Sequence, residues 1–442
     1  STVARLHDLS WIPDLAIITA PPHAVTAVIA EAAERGVPAA LVLSGGLGQG
    51  PGSIAEAIEA AARAKGMRLV GPCSVGLIAP HARLNASVSA HQPLPGDLAL
   101  VSQSGAVAAG LVEWGVSRSI GFSGVVSLGE SLDVDFGDML DYFATDHRTR
   151  AILLYVESIR DARKFMSAAR IAARSKPVVV VKSGRHVPAT GELDTHVAAL
   201  ASADAVYDAA FRRAGLLRVR ALDELFAAAE TMGRLRAFSG RRLAILTNGG
   251  GVGGLAADSL LDLGGTLATL SPETRSKLEV LLPAAWSQDN PVDILRDADE
   301  ARYSAAVEAL LEDANSDALL VVNVPTALSS STEAALALTH AVERQPRNAR
   351  HKPVFAVWLG EEASATEALA QVHIPNYRSE ADAIRGFMHL VRHGEAQAAL
   401  METPPSLPED FAVDAVAAQA LVAHVLAQGR RWLDPVETTQ LF

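Results

Sequence analysis

Cysteine is almost absent: 442 residues carry one, Cys73. That excludes a disulfide framework and a cysteine-rich zinc site. Aromatic residues make up only 5%, so the cores must be filled by Ala, Leu and Val, which the 49% hydrophobic content supplies. A basic excess is missing too. Lys plus Arg number 38 against 50 Asp plus Glu, a net charge of −12, and the pI is near 5.6. Unspecific binding to nucleic acid or anionic membranes needs the opposite balance, so neither is an expected partner. No apolar run reaches the ~18–20 uninterrupted residues of a spanning helix. The opening STVARLHDLSW has no apolar signal core. These absences leave an acidic, multidomain α/β protein, expected in the reducing cytoplasm.

What is present alternates. Short β-branched runs are separated by Ala-rich stretches, the pattern of parallel sheets covered by helices. At roughly 100–200 residues per domain, the length suggests about three domains. In the first, strands are expected at 15–19, 39–44 and 68–70, and helices at 24–35 and 54–65, each stopped by a glycine, Gly36 and Gly66. Breaks near Pro93–Gly96, Phe238–Gly240 and Thr403–Glu409 give domains at 1–96, 97–238 and 239–402, and a helical tail over 403–442.

The second and third domains repeat one plan. Leu98-Ala-Leu-Val-Ser102 and Leu243-Ala-Ile-Leu-Thr247 each run through a small-residue turn into a helix, and later strands follow in the same order. The first domain has no glycine-rich turn ahead of its first strand, where a dinucleotide-type Rossmann domain would hold a pyrophosphate. It is therefore expected to be N-terminally incomplete, with an open edge near Leu15–Thr19, and the chain to be a piece of a longer polypeptide.

Several residues could carry chemistry. Ser102-Gln103-Ser104-Gly105 lies between a strand and a helix, where unpaired N–H groups suit an anion, although serine is also an ordinary helix cap. Thr247-Asn248-Gly249-Gly250-Gly251, followed by Gly253 and Gly254, costs helix stability, which implies close approach of a ligand or of neighbouring backbone. Glu157 ends the strand Ala151–Val156. It is placed either to orient a histidine or to cap the next helix. His196 sits on a polar loop, where a histidine can accept a phosphoryl group or serve structure alone. Cys73, with no Lys or Arg within four residues, is expected to be inert.

The motifs together resemble those of the NDP-forming acyl-CoA synthetases, relatives of the succinyl-CoA synthetase α subunit. In order they are Gly71-Pro-Cys-Ser-Val-Gly76, Leu84-Asn-Ala-Ser87, Ser102-Gln-Ser-Gly105, Val126-Ser-Leu-Gly129, Leu154-Tyr-Val-Glu157 and Lys182-Ser-Gly-Arg185. Thr195-His196, Asp204-Ala-Val-Tyr-Asp-Ala-Ala-Phe211, Thr247-Asn-Gly-Gly-Gly251 and Asn290-Pro-Val-Asp293 follow. Phe387-Met-His-Leu390 and Thr403-Pro-Pro405 look closest to long fused members that also carry an ATP-grasp domain and often an N-acetyltransferase domain.

The resemblance implies an α/β fold: a partial Rossmann CoA-binding domain, then two flavodoxin-like doubly wound parallel-sheet domains. It implies a ligase interconverting acyl-CoA, phosphate and ADP with acid, CoA and ATP through an acyl phosphate and a phosphohistidine. His196 falls on the phosphohistidine and Glu157 on its orienting carboxylate. Ser102, Gln103, Ser104 and Gly105, with Asn248, Gly249, Gly250 and Gly251, fall on the helix starts that face the phosphoryl group. Pro21, Pro22, Ser44, Gly45 and Cys73 fall on loops lining the CoA site. CoA is the expected cofactor, while ADP or ATP and Mg2+ belong to an ATP-grasp domain or subunit outside this sequence; no metal site is expected in the chain itself. A homo-oligomer is expected. The sequence departs from the family pattern at Cys73, Glu130, Val197 and Ala198. A second expectation is a regulatory module of a protein lysine acetyltransferase that binds CoA, acyl-CoA or nucleotide without turnover.

Overall fold

The computed structural model describes residues 3–118, 120–185, 204–235, 238, 240–345, 352–360, 363–401, 414–430 and 432–441. Two units are distinguished, Ser1–Met401 and Glu402–Phe442.

The larger unit begins with a three-stranded parallel sheet, Ala16–Ile18, Ala39–Val42 and Arg68–Val70, in that order. Helices Pro22–Arg35 and Ile54–Arg63 connect the strands. Proline at the first helical position suits the fixed φ of its ring, and Gly36, at φ +87°, ends the first helix as its left-handed cap. Ser53 starts the second by accepting the Glu56 N–H at 3.1 Å. Ala16–Ile18 is an edge strand, and Ile17 on it is 48% exposed.

The second sheet has seven strands. Leu217–Val219, Val178–Lys182, Ala151–Val156, Pro95–Ser102 and Phe122–Ser127 run parallel in that spatial order. The antiparallel hairpin Gly76–Ala79 with Leu84–Ser87 completes the edge. This hairpin precedes the break read near Pro93–Gly96, yet it pairs with the second sheet. Ile78 carries it into that sheet's core.

The third sheet orders Thr266–Leu267, Arg242–Thr247, Ala318–Asn323, Val354–Trp358 and Asn376–Tyr377, all parallel, with Val292–Asp293 also paired to Arg242–Thr247. The first strand of each parallel set lies between its second and third, and the fourth and fifth follow outward. The repeated plan in the sequence is therefore a repeated strand order.

One hydrophobic core joins the two sheets. Leu98, Leu100 and Leu153 of the second and Leu243, Ile245 and Leu320 of the third belong to it. Trp114 stacks on Phe226 between them at 5.1 Å. The long helix Glu380–Met401 closes the third sheet and also packs on Leu217–Val219 of the second. In the smaller unit, Asp414 caps the helix Ala415–Ala427, and a short helix, Pro435–Leu441, follows. Among the described residues no helix is long and apolar enough to cross a membrane.

Candidate active site

The three parallel strands of the first sheet deliver their following loops to one edge, the end where open α/β sheets collect ligands. Pro21 and Pro22, Ser44 and Gly45, and Cys73 lie on these loops and meet there. Ser44 Oγ donates to the Ala20 carbonyl at 2.5 Å, and the Cys73 N–H donates to the Ser44 carbonyl at 3.0 Å. A β-carbon on Gly45 would stand 3.3 Å from Cys73 Sγ. Cys73 itself adopts φ +58°. Burial first, then the charges of Glu130 and Glu157, push its thiol up from the ordinary range, which disfavours the thiolate.

In the second sheet, Ser102 and Ser104 serve the turn they form. Ser102 is fully buried, and its Oγ donates to the Ser104 carbonyl at 2.7 Å. Ser104 Oγ accepts the Val107 N–H at 3.4 Å as the cap of helix Gly105–Ser117. The Ser102 hydroxyl is thus engaged within the turn. Gln103 is the residue that reaches out. Its Oε1 accepts the N–H groups of Glu157 at 2.7 Å and Ser158 at 3.0 Å, which fixes the backbone just past strand Ala151–Val156. Gln103 therefore holds Glu157 in place.

A cleft of about 420 Å³ opens at this point. Gln49, Gly50, Pro51, Glu56 and Glu59 of the first domain form one wall; Gln103, Glu130, Glu157 and Arg160 of the second form the other. The two walls are locked together beside it. Gly129, at φ +57°, fits so closely on Pro72 that a β-carbon would overlap the Pro72 carbonyl oxygen. The Glu130 N–H donates to that same oxygen at 3.0 Å, and the Leu132 N–H donates to the Gly71 carbonyl at 3.0 Å. Glu130, Arg160 and the 49–59 segment were not among the sequence candidates. The departure from the family pattern at Glu130 was the only signal available in the sequence.

The third-domain turn is built mostly for packing. Asn248 uses both ends of its amide on Val324, accepting its N–H at 2.7 Å and donating to its carbonyl at 2.8 Å. A β-carbon on Gly249 would stand 2.8 Å from Val324 Cγ2, and one on Gly250 would stand 2.5 Å from Asp293 Oδ2. Gly251 and Gly254 face open space. Val252 here and Val107 in the second sheet, each the third residue of its helix, pack on the same core. His196 lies outside the described residues. Lys182, at the end of strand Val178–Lys182, is buried; its Nζ donates to the Ser183 carbonyl and lies 4.8 Å from the Tyr207 ring.

A CoA-type edge beside a carboxylate-bearing cleft, followed by a duplicated flavodoxin-like plan, defines the class of CoA ligases related to succinyl-CoA ligase. Residues 1–80 match the CoA binding domain, 95–232 the succinyl-CoA ligase like flavodoxin domain and 243–385 the ligase-CoA domain. Subunit alpha of acetate–CoA ligase (ADP-forming) I from Pyrococcus furiosus is 33% identical over 387 residues, 86% of this chain and 82% of that protein. Acetate–CoA ligase (ADP-forming) I from Archaeoglobus fulgidus is 35% identical over 423 residues, 95% of this chain; the chain spans 59% of that protein's length. The dinucleotide-forming acetyl-coenzyme A synthetase 1 of Ca. Korarchaeum cryptofilum, solved in complex with phosphate and ADP, matches with a TM-score of 0.84 at 29% identity, over 91% of this chain and 88% of that one. The chain belongs to the ADP-forming acetate–CoA ligase family and covers its α-type portion.

Proposed function

We propose that this chain is the α-type portion of an ADP-forming acyl-CoA ligase that works with an ATP-grasp domain or subunit. CoA lies along Pro21, Pro22, Ser44, Gly45 and Cys73, and its thioester enters the cleft. Phosphate attacks the acyl carbon, CoA leaves as the thiol, and an acyl phosphate forms. His196 takes the phosphoryl group and releases the acid, then passes that group to ADP held with Mg2+ by the partner. Glu157 orients His196 as the phosphoryl group moves, and the N–H groups at Gly105 and at Gly250 and Gly251 stabilise its charge, while that of Gly249 is held by Thr247 Oγ1 at 3.0 Å. The reading is carried by the anchoring of Glu157 on Gln103, at the cleft where the CoA-type loops meet the second sheet.

The test uses the chain with its ATP-grasp partner and ATP labelled in the γ-phosphate. Acid-labile, base-stable label is expected on the protein, absent in His196→Ala and weakened less in Glu157→Gln. The acidic Glu130 in the cleft favours a second reading, a module that binds acyl-CoA without turnover. Binding of acyl-CoA with no label, while the partner holds Mg-ATP, would decide for that reading. The similarities above give no support to an acetyltransferase fusion, and none is proposed.

A further inference from the structure

Among its described lining residues the cleft has one cation, Arg160. It lies on the loop after strand Ala151–Val156, whose first N–H groups, those of Glu157 and Ser158, are fixed by Gln103. Its Nη1 donates to the carbonyls of Ser131 and Leu132, both at 3.2 Å. The Leu132 N–H in turn donates to the Gly71 carbonyl at 3.0 Å, so the guanidinium is braced toward the CoA-type turn. Nη1 is thereby committed. Nε and Nη2 have no partner, and Arg160 enters no ion pair, among the described residues. An open Nε–Nη2 edge is the flat fork that takes two oxygens of an oxyanion.

A second observation is independent of the first. Ser131 is 4% exposed, and its Oγ is buried with no hydrogen-bond partner. A hydroxyl in that state costs stability unless something completes it. Ser131, Ser158 and Arg160 line a recess of about 10 Å³, and Ser158 and Arg160 line the cleft as well. The recess therefore adjoins the cleft and has room for roughly one water-sized atom. Asp135 and Asp161 also line it, and both are engaged. Asp135 lies 3.0 Å from Lys164 Nζ and accepts the Asp138 N–H at 3.1 Å; Asp161 accepts the Lys164 N–H at 2.9 Å.

We propose that Arg160 and Ser131 form a subsite for a phosphate oxyanion, with two oxygens on the Nε–Nη2 edge of Arg160 and a third in the recess at Ser131 Oγ. The proposal rests on the ligase reading above, in which inorganic phosphate is the attacking substrate. A planar carboxylate is satisfied by the guanidinium edge alone; a tetrahedral phosphate has a further oxygen for the hydroxyl. The 3′-phosphate of CoA offers the same chemistry, and the experiment separates the two sources.

The chain with its ATP-grasp partner is assayed on acetyl-CoA, phosphate and ADP, as wild type, Arg160→Gln, Arg160→Lys and Ser131→Ala. KM for phosphate should rise at least about tenfold in Arg160→Gln, recover in part in Arg160→Lys, and rise about threefold or more in Ser131→Ala. Ser131→Ala removes a hydroxyl that has no partner among the described residues. Its thermal unfolding midpoint should therefore not fall, and a raised KM there reports the ligand. A second arm compares acetyl-CoA with its 3′-dephospho analogue. The ratio of their kcat/KM values should be the same in wild type and variants. A ratio that falls in both Arg160→Gln and Ser131→Ala, with the phosphate KM unchanged, assigns the subsite to the CoA phosphate instead. Constants that move in neither arm overturn the proposal. So does an Arg160→Gln protein whose unfolding midpoint falls and whose kcat alone drops, the mark of a brace for the 131–132 loop. If no protein turns over, the ligase reading fails, and calorimetry with inorganic phosphate decides the subsite: weaker binding in Arg160→Gln and Ser131→Ala supports it, equal or absent binding overturns it.

Discussion

A β-carbon placed on Gly105 would overlap Cγ1 of Val75. The helix start of the second sheet is thus seated directly on the turn that follows the last strand of the first. The proposed phosphoryl-facing turn and the proposed CoA-facing turn are in van der Waals contact, with no room for one methyl group between them.

Gly105→Ala should therefore push Val75 aside and lower stability by about 1–3 kcal/mol, the usual cost of overpacking. Gly251→Ala meets open space. Helix propensity alone then favours alanine by up to about 1 kcal/mol. Urea denaturation of both variants measures the contrast. A Gly251→Ala protein that keeps its stability and loses ligase activity would identify that glycine as a place where substrate approaches backbone.

Gln103 separates two roles that one substitution rarely splits. Gln103→Leu leaves the N–H groups of Glu157 and Ser158 without their acceptor and should cost about 2–3 kcal/mol. Gln103→Glu keeps an acceptor for both and removes the amide donor. It should remain folded and lose at least about tenfold in kcat, because a carboxylate now faces the phosphoryl oxygens. Thermal unfolding and steady-state kinetics on the two variants distinguish these outcomes. Equal stability and equal activity in both would remove Gln103 from the site.

His389 makes the fold acid-sensitive. It is buried in the helix Glu380–Met401, and its Nδ1 has no partner among the described residues. Burial, reinforced by Arg392 and Arg385, lowers its pKa from 6.5 to about 3. The folded chain thus keeps the ring neutral, while the unfolded chain takes up a proton below about pH 6.5. The associated stability is fully present above that pH and is lost as pH falls toward about 3. Between pH 7 and 5 the loss should be about 2 kcal/mol. His393, one turn further on, is shifted the same way by burial and adds to it. Denaturation of wild type and His389→Gln at pH 7, 6 and 5 tests this, and the pH slope should be shallower in the variant.

Much of the fold was legible along the chain. Strands 39–42 and 68–70 fall within the spans read from β-branched runs, and the stop at Gly36 is a left-handed helix cap. The duplicated order of Leu98–Ser102 and Leu243–Thr247 proved to be one strand order used twice. The hairpin 76–87 was not legible as part of the second sheet, because Leu77 and Ile78 pair with Val126 and Val125, nearly fifty residues onward, and nothing local marks the pairing. Of the residues that line the cleft, Gln103 and Glu157 were among the candidates read from the sequence. Glu130 stood out only as a departure, and Glu56, Glu59 and Arg160 gave no signal, because ordinary helix and loop positions carry charges everywhere.

The sequence by itself determined the kinds of element, their order, the turn chemistry between them and the family. These depend on periodicity, caps and glycines that act within a turn or two of the chain. Only the tertiary structure decided which glycines are packed, as Gly105 and Gly129 are, and which are open, as Gly251 is. It also decided that the Ser102 hydroxyl is engaged within its own turn, that Gln103 holds Glu157, and that four carboxylates line one cleft. Steric fit and charge proximity arise between residues fifty or more positions apart, and those distances exist only once the sheets have been laid against each other.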